Sequence, residues 1–253
     1  MFWLTVRGLA AFSLITLGVM VRKRRVAREV MRPRIRQEIA RSGTQLLPLF
    51  TFLALALGFL VVGQTVTQLS SRGAGDFVGK LMVYIIVREL GPLLAAMLLL
   101  ARVGAANVIE LGTARATGEV ETLEALAIDP VHYLVVPRVM GMAAGVFSLT
   151  VFLVLGALAG GYLCAFLLLP QLPLTPGEYC RQIGDALNAM DFVLLTVKTL
   201  AFGFFIGIVT CYHGLAQPLR LEDVSVVAVR AMTQGIIGCT LLDVIFAVLY
   251  FAA

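Results

Sequence analysis

The sequence predicts an all-α integral membrane protein with five transmembrane helices, an N-terminal interfacial helix and a further helix in a cytoplasmic loop. Two observations lead to this fold class. Hydrophobic residues make up 60% of the 253 residues and charged residues only 14%, whereas soluble domains carry about 25% charged residues. The apolar residues are also gathered into long segments, and about 20 such residues together cross the hydrocarbon core of a bilayer as a helix.

Five segments are long and apolar enough to cross a bilayer. They are residues 46–69, 81–107, 139–169, 192–215 and 224–251. The third is long for one crossing and too short for two crossings with a turn, so it predicts a single tilted or overhanging helix. Small residues recur at spacing four, as at Gly141 and Gly145, and such pairs predict that helix backbones approach closely.

The N-terminal region, residues 1–45, is unusually basic. Residues 1–21 are apolar but carry Arg7, which favours a helix in the membrane interface. A sixth span is the alternative, and it would draw Arg7 towards the costly bilayer centre. The basic block at residues 22–41 favours the anionic membrane surface over nucleic acid. It also places this region in the cytoplasm and the C-terminus of the five-span domain, residues 46–253, outside.

The second span carries four formal charges, on Arg88, Glu89, Arg102 and Glu110. An ideal helix turns 100° per residue, which puts Arg88, Arg102 and Glu110 on one face. Charges within a span nearly always face a protein interior or a watery cavity. Structural ion pairs are favoured for Arg102 and Glu110, which lie near the cytoplasmic end and can snorkel. For Arg88 and Glu89, cavity lining and structural pairing are equally open.

The segment after this span, residues 110–138, is too polar to cross the membrane. Ala, Leu and Glu favour a helix here, and Asp129-Pro130 ends it. Its acidic residues indicate either a solvated face or a docking surface for a soluble partner. They are Glu119, Glu121 and Glu124.

Little in the sequence points to metal binding or to catalysis. The four cysteines form no CxxC pair, and the two histidines stand alone in the sequence. Residues 73–81, GAGDFVGKL, come nearest to a phosphate-binding P-loop. They have Ala74 in place of its first glycine and Leu81 in place of its hydroxyl residue. We therefore expect no cofactor in this chain.

An ordered series of short motifs lies between residues 80 and 140. The motifs are RELGP (88–92), ARVGAA (101–106), ELGT-R-T (110–117), LE (123–124), DP (129–130) and VVPR (135–138). This series resembles the MlaE/YrbE permease family, the membrane subunits of lipid-transporting ABC systems that work with MCE proteins. A weaker resemblance continues to Asp243, and Gln64 resembles a glutamine late in the family's first span.

The resemblance implies a permease subunit in the bacterial inner membrane, which forms a homodimer and makes or breaks no bond. Its implied partners are two cytoplasmic ATPase subunits that bind ATP and Mg²⁺, a small accessory cytoplasmic subunit and a periplasmic MCE protein. The implied substrate is phospholipid or a related lipid, held in a cavity lined by Arg88, Glu89 and Gln64. A guanidinium suits a lipid phosphate because it forms forked hydrogen bonds.

The resemblance also implies a coupling helix at about residues 111–128 that sits in a groove on each ATPase. The residues implied to couple the chain to the ATPase are Glu110, Arg115, Glu119, Glu121, Leu123 and Glu124. A short helix rigidly joined to two spans can transmit motion from one to the other.

Two other classes of function are weaker. A secondary carrier could relay protons through intramembrane charges, but carriers usually show an internal repeat, which is not visible here. The charges in question are Arg88, Glu89, Lys198, Arg230 and Asp243, of which Lys198 and Asp243 could instead pair with each other. A lipid-modifying enzyme would need a catalytic cluster. Of its candidate pairs, Asp129 with His132 lies beside a proline and favours a helix boundary, and Asp185 with Asp191 lies in an outer loop without a third partner.

Overall fold

The structure is a computed structural model that describes residues 2–22, 28–70, 83–168, 176–215 and 220–252. These residues are almost entirely helical, and they contain no β-strand. The α-helices are α1 (Phe2–Arg22), α2 (Arg28–Gly43), α3 (Leu47–Ser70), α4 (Gly91–Leu99), α5 (Ala105–Ala116), α6 (Glu119–Ala125), α7 (Val136–Leu168), α8 (Pro176–Ala186), α9 (Ala189–Leu215) and α10 (Val224–Ala252). Three π-helical stretches are π1 (Val83–Leu90), π2 (Leu100–Gly104) and π3 (Val131–Val135).

Five continuous helical stretches are long and apolar enough to cross a membrane. They are Met31–Val61, Val83–Ala116, Val131–Leu167, Ala189–Leu215 and Leu221–Tyr250. The predicted all-α membrane fold with five spans is therefore confirmed. The third span is one helix, as its length predicted.

The chain forms two compact units. The first unit comprises Met1–Thr44, Ala96–Val146 and Leu200–Ala253, and the second comprises Gln45–Ala95 and Phe147–Thr199. The core of the first unit includes Leu111, Val135, Val139, Ile208 and Cys211, against which Leu9 and Phe12 of α1 pack. The core of the second unit includes Val83, Ile86, Val87, Val154, Ala157, Ala165, Tyr179 and Ile183.

The close helix packing predicted from Gly141 and Gly145 is present in the first unit. A Cβ atom added at Gly141 would lie 2.7 Å from the Cβ of Glu38, and one added at Gly145 would lie 2.7 Å from the Cβ of Ser42. Both neighbours belong to α2, so α7 and α2 approach so closely that neither glycine has room for a side chain.

The second span is not a regular α-helix, because π1 and π2 interrupt it. A π-turn closes its hydrogen bond over five residues, which changes the rotation per residue. The prediction that Arg88, Arg102 and Glu110 share one face assumed 100° at every step, and the π-helical stretches remove that basis. Arg88 belongs to the second unit, whereas Arg102 and Glu110 belong to the first.

The predicted coupling helix at residues 111–128 is divided at Gly118. Residues up to Ala116 continue α5, and α6 is a separate helix of seven residues. Gly118 has φ of 79°, in the left-handed region that favours glycine, and this reverses the chain between the two helices. After α6 the backbone turns again at Ala127, which has φ of 58°.

The N-terminal region is helical, with α1 and α2 on either side of residues 23–27, which lie outside the described residues. Phe12 of α1 packs edge-on against Tyr212, with ring centroids 5.7 Å apart. The interfacial location of residues 1–21 stays a prediction, as does the domain boundary after residue 45. The P-loop-like residues 73–81 lie outside the described residues.

Candidate functional site

Charged residues of the second and fourth spans form an ion-pair cluster in the second unit. The Arg88 Nε atom lies 2.9 Å from Oδ1 of Asp191, and Arg88 Nη2 donates to Oδ2 of Asp191 over 3.0 Å. The pair therefore combines one hydrogen bond, donated by Nη2, with a close ion-pair contact between Nε and Oδ1. The side chain of Asp191 is only 2% exposed and that of Arg88 19%, so this pair is largely removed from the surface.

A second pair lies beside the first. Lys198 donates from Nζ to Oε2 of Glu89 over 3.2 Å and to the backbone carbonyl of Arg88 over 2.8 Å. Lys198 is 6% exposed at its side chain, whereas Glu89 is 32% exposed. We call these four residues, Arg88, Glu89, Asp191 and Lys198, the Arg88 cluster. Its two positive and two negative charges sum to zero. Each formal charge of the cluster is therefore balanced by an opposite charge where π1 contacts α9.

Asp191 also organises the start of α9. Its Oδ2 accepts the backbone N–H of Asn188 over 2.9 Å, and its own N–H donates to the Asn188 carbonyl over 2.9 Å. In a capping box, the side chain at the third helical position accepts a hydrogen bond from the backbone N–H of the N-cap residue. Asp191 makes this bond to Asn188, the residue before α9. The same side chain therefore fixes the first turn of α9 and the guanidinium of Arg88.

The structure assigns partners to Arg88 and Glu89 that differ from those considered in the sequence. Asp191 holds Arg88, and Glu89 pairs with Lys198. The sequence considered Asp191 only as a possible catalytic partner of Asp185. Its spacing from Asn188, just before an apolar run, was the available signal that it opens a helix. Gln64 lies in α3 of the same unit with an exposed side chain.

A second ionic group, in the first unit, centres on Glu110 of α5. Arg41 of α2 donates hydrogen bonds to both carboxylate oxygens. Its Nη1 atom lies 2.8 Å from Oε2, and its Nη2 atom donates to Oε1. Arg138 of α7 donates from Nη2 to Oε2 over 3.3 Å. We call these three residues the Glu110 cluster. The sequence favours a structural ion pair for Glu110, and the structure shows it in contact with two arginines of the same chain. Its implied role in coupling to an ATPase stays a prediction.

The α6 helix presents a mixed acidic and apolar surface. Glu119, Glu121 and Glu124 are exposed, and Leu123 is half-buried. Arg115 pairs with Glu121 over 3.2 Å. The most exposed large apolar side chain of this segment is Leu126, at 66%, and Ile128 is also exposed.

An apolar cavity of about 560 Å³ lies in the first unit between α1, α9 and α10. Its walls are almost wholly apolar and include Leu9, Phe204, Phe205, Leu241 and Ile245. Small-molecule sites in proteins commonly have volumes of about 300–1,000 Å³. This cavity is therefore large enough for an apolar ligand such as an acyl chain.

Two of the acidic residues considered for catalysis, Asp129 and Asp191, have structural partners. The Asp129 Oδ1 atom accepts the backbone N–H of Val131 over 3.0 Å, which caps the start of π3. His213 Nε2 lies 2.8 Å from Oε1 of Gln234. Within the described ranges, no group of three or more His, Cys, Asp and Glu side chains is arranged to hold a metal ion.

Comparison with known proteins identifies the family. The sequence profile described as permease MlaE matches residues 35–249. A Rickettsia prowazekii relative named as an ABC transporter permease is 29% identical over 206 residues, 80% of this chain and 76% of its own length. A similarly named Synechocystis relative is 30% identical over 159 residues, 63% of this chain and 59% of its own length. The chloroplastic protein trigalactosyldiacylglycerol 1 of Arabidopsis thaliana is 24% identical over 219 residues, 85% of this chain and 61% of its own length.

These matches agree with the resemblance found in the sequence motifs. The profile covers three of the five membrane spans in full and nearly all of the first and the last. The bacterial relatives above are named as probable ABC transporter permease proteins. The chain is a membrane transport subunit and belongs to the MlaE permease family.

Proposed function

We propose that this permease moves phospholipid, or a related lipid, between the bacterial inner membrane and a periplasmic MCE protein. ATP hydrolysis by separate ATPase subunits drives the transport. The observation that carries this proposal is the Arg88 cluster, an arginine held within the second span of a permease-family chain. Charge inside a membrane span is costly, and it usually marks a substrate path or a structural pair.

Arg88 suits a lipid phosphate. A guanidinium has five N–H donors in a planar fork, and it binds phosphate oxygens by paired hydrogen bonds. Asp191 accepts a hydrogen bond from Nη2, and its Oδ1 lies 2.9 Å from Nε. A lipid phosphate that takes the place of the Asp191 carboxylate meets a guanidinium that is already oriented.

Two further observations support a lipid substrate. The Arabidopsis relative carries the name of a galactolipid. The first-unit cavity has almost no polar wall, which suits an acyl chain better than a polar solute. Membership of a family of ABC permeases also favours ATP-driven transport over the secondary-carrier alternative.

The α6 segment is the surface that we propose docks on an ATPase. Protein interfaces commonly have an apolar centre and a polar rim. Leu126 supplies an exposed apolar centre, and Glu119, Glu121 and Glu124 supply an acidic rim. The partner groove is accordingly apolar at its base and basic at its edge. The orientation in which residues 22–41, α6 and the accessory subunit are cytoplasmic, and the C-terminus periplasmic, is part of this proposal.

A homodimer is the proposed assembly. The fifth span is the least buried of the five within the chain. In its apolar segment 11% of the residues are buried, against 50% in the second span. Exposed apolar residues on α10 include Ile237, Leu241, Ile245 and Val248. Such a face is available to a second copy of the chain.

The test is mass spectrometry of lipids and proteins retained when the transporter is extracted gently. We expect the native chain to retain phospholipid and ATPase, and Arg88→Ala to lose phospholipid while keeping ATPase. Exposed Arg102, in the same span, provides the matched control, and Arg102→Ala should retain both. Equal phospholipid retention by native chain and Arg88→Ala would remove Arg88 from the proposed site.

A further inference from the structure

Helix α2 contacts the chain on both sides of the segment that carries α6, which lies between α5 and π3. We call this segment the α6 loop. Before the loop, Arg41 binds Glu110 of α5 through both carboxylate oxygens. After the loop, the guanidinium carbon of Arg34 lies 3.8 Å from the ring centroid of Tyr133 in π3. We infer that α2 moves as one body with the two ends of this loop, so that the basic N-terminal helix is a moving part of the transport cycle.

The two arginines act from one face of α2. They are seven residues apart in the sequence, and seven residues of α-helix turn through about 700°, only about 20° short of two full turns. The rise over seven residues is about 10 Å. One face of α2 therefore contacts both Glu110, which precedes the α6 loop, and Tyr133, which follows it.

The carboxylate of Glu110 closes the arrangement by joining the two helices that flank the loop. It accepts from Arg138 of α7 as well as from Arg41. Arg138 is itself oriented by a hydrogen bond from Nη1 to the Leu134 carbonyl over 3.1 Å. As a result α5, α7 and α2 are connected pairwise through one side chain, and none of the three can shift without disturbing the others.

The backbone of α2 is also fixed against α7. Gly141 and Gly145 lie directly against Glu38 and Ser42, with no space for a Cβ atom at either glycine. Close-packed interfaces of this kind resist gradual sliding, because any shift meets atoms already in contact. This packing is independent of the ionic contacts, and it supports the same conclusion.

The Glu110 cluster matters more for transmitting motion than for stability. Glu110 is 41% exposed and Arg41 is 30% exposed at their side chains, and exposed ion pairs add little to stability. Removing the carboxylate should therefore leave the fold intact. The inference rests on the proposed docking of α6 on an ATPase, and it makes Glu110 and Arg41 positioning residues for coupling.

The first experiment measures distance within the full chain assembled with its ATPase subunits. Cys180 is the exposed cysteine of the described chain and is replaced by serine, while the buried cysteines are kept. Spin labels are placed at Arg36→Cys in α2 and Thr113→Cys in α5, both at exposed positions. The interlabel distance is compared between nucleotide-free and vanadate-trapped complexes.

We expect the distance to stay the same on trapping, and we expect Glu110→Gln to let it shift or broaden. A change on trapping in the parent chain would overturn the inference, and so would a Glu110→Gln complex that behaves like the parent. Failure of any ATPase to assemble with the chain is a different outcome, because no complex can then be trapped. It would contradict the proposed function rather than the inferred movement of α2.

The second readout is the ratio of ATP hydrolysed to fluorescent phosphatidylethanolamine moved in proteoliposomes. We expect Glu110→Gln and Arg41→Gln to raise this ratio several-fold, and Glu110→Asp to restore much of the coupling. Arg32→Gln removes the same charge from an exposed position of α2 and should leave the ratio unchanged. A ratio in Arg41→Gln equal to that in Arg32→Gln would overturn the role of the Glu110 cluster.

Discussion

The Arg88 cluster and the Glu110 cluster contain the same kinds of side chain in different surroundings. Asp191 and Lys198 in the Arg88 cluster are almost completely buried, whereas Glu110 is substantially exposed. Breaking a buried pair leaves an uncompensated charge and costs about 3–5 kcal/mol, whereas an exposed pair contributes about 0–1 kcal/mol. The comparison teaches that similar ion pairs can serve different purposes, with one cluster supporting the fold around a proposed ligand group and the other connecting parts that move.

The largest expected effect comes from removing the carboxylate of Asp191. Asp191→Ala leaves Arg88 buried without its partner and removes the cap of α9, so we expect a loss of about 3–5 kcal/mol of stability. Thermal unfolding in detergent and the yield of folded protein measure this. Asp185→Ala, at an exposed position of α8, is the control and should be neutral. Equal melting temperatures for the two variants would contradict the comparison, and Arg88→Leu added to Asp191→Ala should recover part of the loss.

A strong effect on assembly is expected from Leu126→Asp. Loss of a central apolar contact at an interface costs about 2 kcal/mol or more, which corresponds to roughly 30-fold weaker binding. Co-purification and titration of the ATPase subunit report it. Leu221→Asp is a matched control, because Leu221 is 62% exposed and Leu126 is 66% exposed. Unchanged ATPase binding by Leu126→Asp would exclude Leu126 from the docking surface.

A gain is expected from Asp191→Asn. The asparagine keeps an oxygen for the Asn188 N–H but no longer competes as an anion for Arg88. We therefore expect several-fold more phospholipid retained per chain, measured by native mass spectrometry against an internal lipid standard. Retention equal to or below that of the native chain would show that Asp191 does not compete with the headgroup.

The smallest effect is expected from reversing rim charges on α6, by Glu121→Lys together with Glu124→Lys. Rim charges change association rate and salt dependence more than affinity. We expect ATPase association to slow by about twofold at low salt, with the difference shrinking as salt rises, together with partly uncoupled ATP hydrolysis. Stopped-flow association at two salt concentrations measures this. Identical rates for the native and reversed chains at low salt would contradict an acidic rim.

The five spans were predictable because the length of an apolar run is a local property that the bilayer constrains directly. The exposure of Leu126 was not predictable, because it depends on the break at Gly118, and glycine in a polar stretch does not by itself specify a left-handed turn. The pairing of Arg88 with Asp191 was not predictable, because it joins residues 103 positions apart. The π-helical stretches were not predictable either, because they change the rotation per residue of the helix without any change in the amino-acid composition of the span.

The sequence separation of Arg88 and Asp191 has a consequence for how the chain is made. The ribosome adds about 5–20 residues per second. Asp191 is the 103rd residue after Arg88, so it is added roughly 5–20 s later. During this interval the nascent second span must hold its arginine without the carboxylate that later neutralises it. We therefore expect the second span to stay in an aqueous or protein-lined environment of the insertion machinery until the fourth span is made.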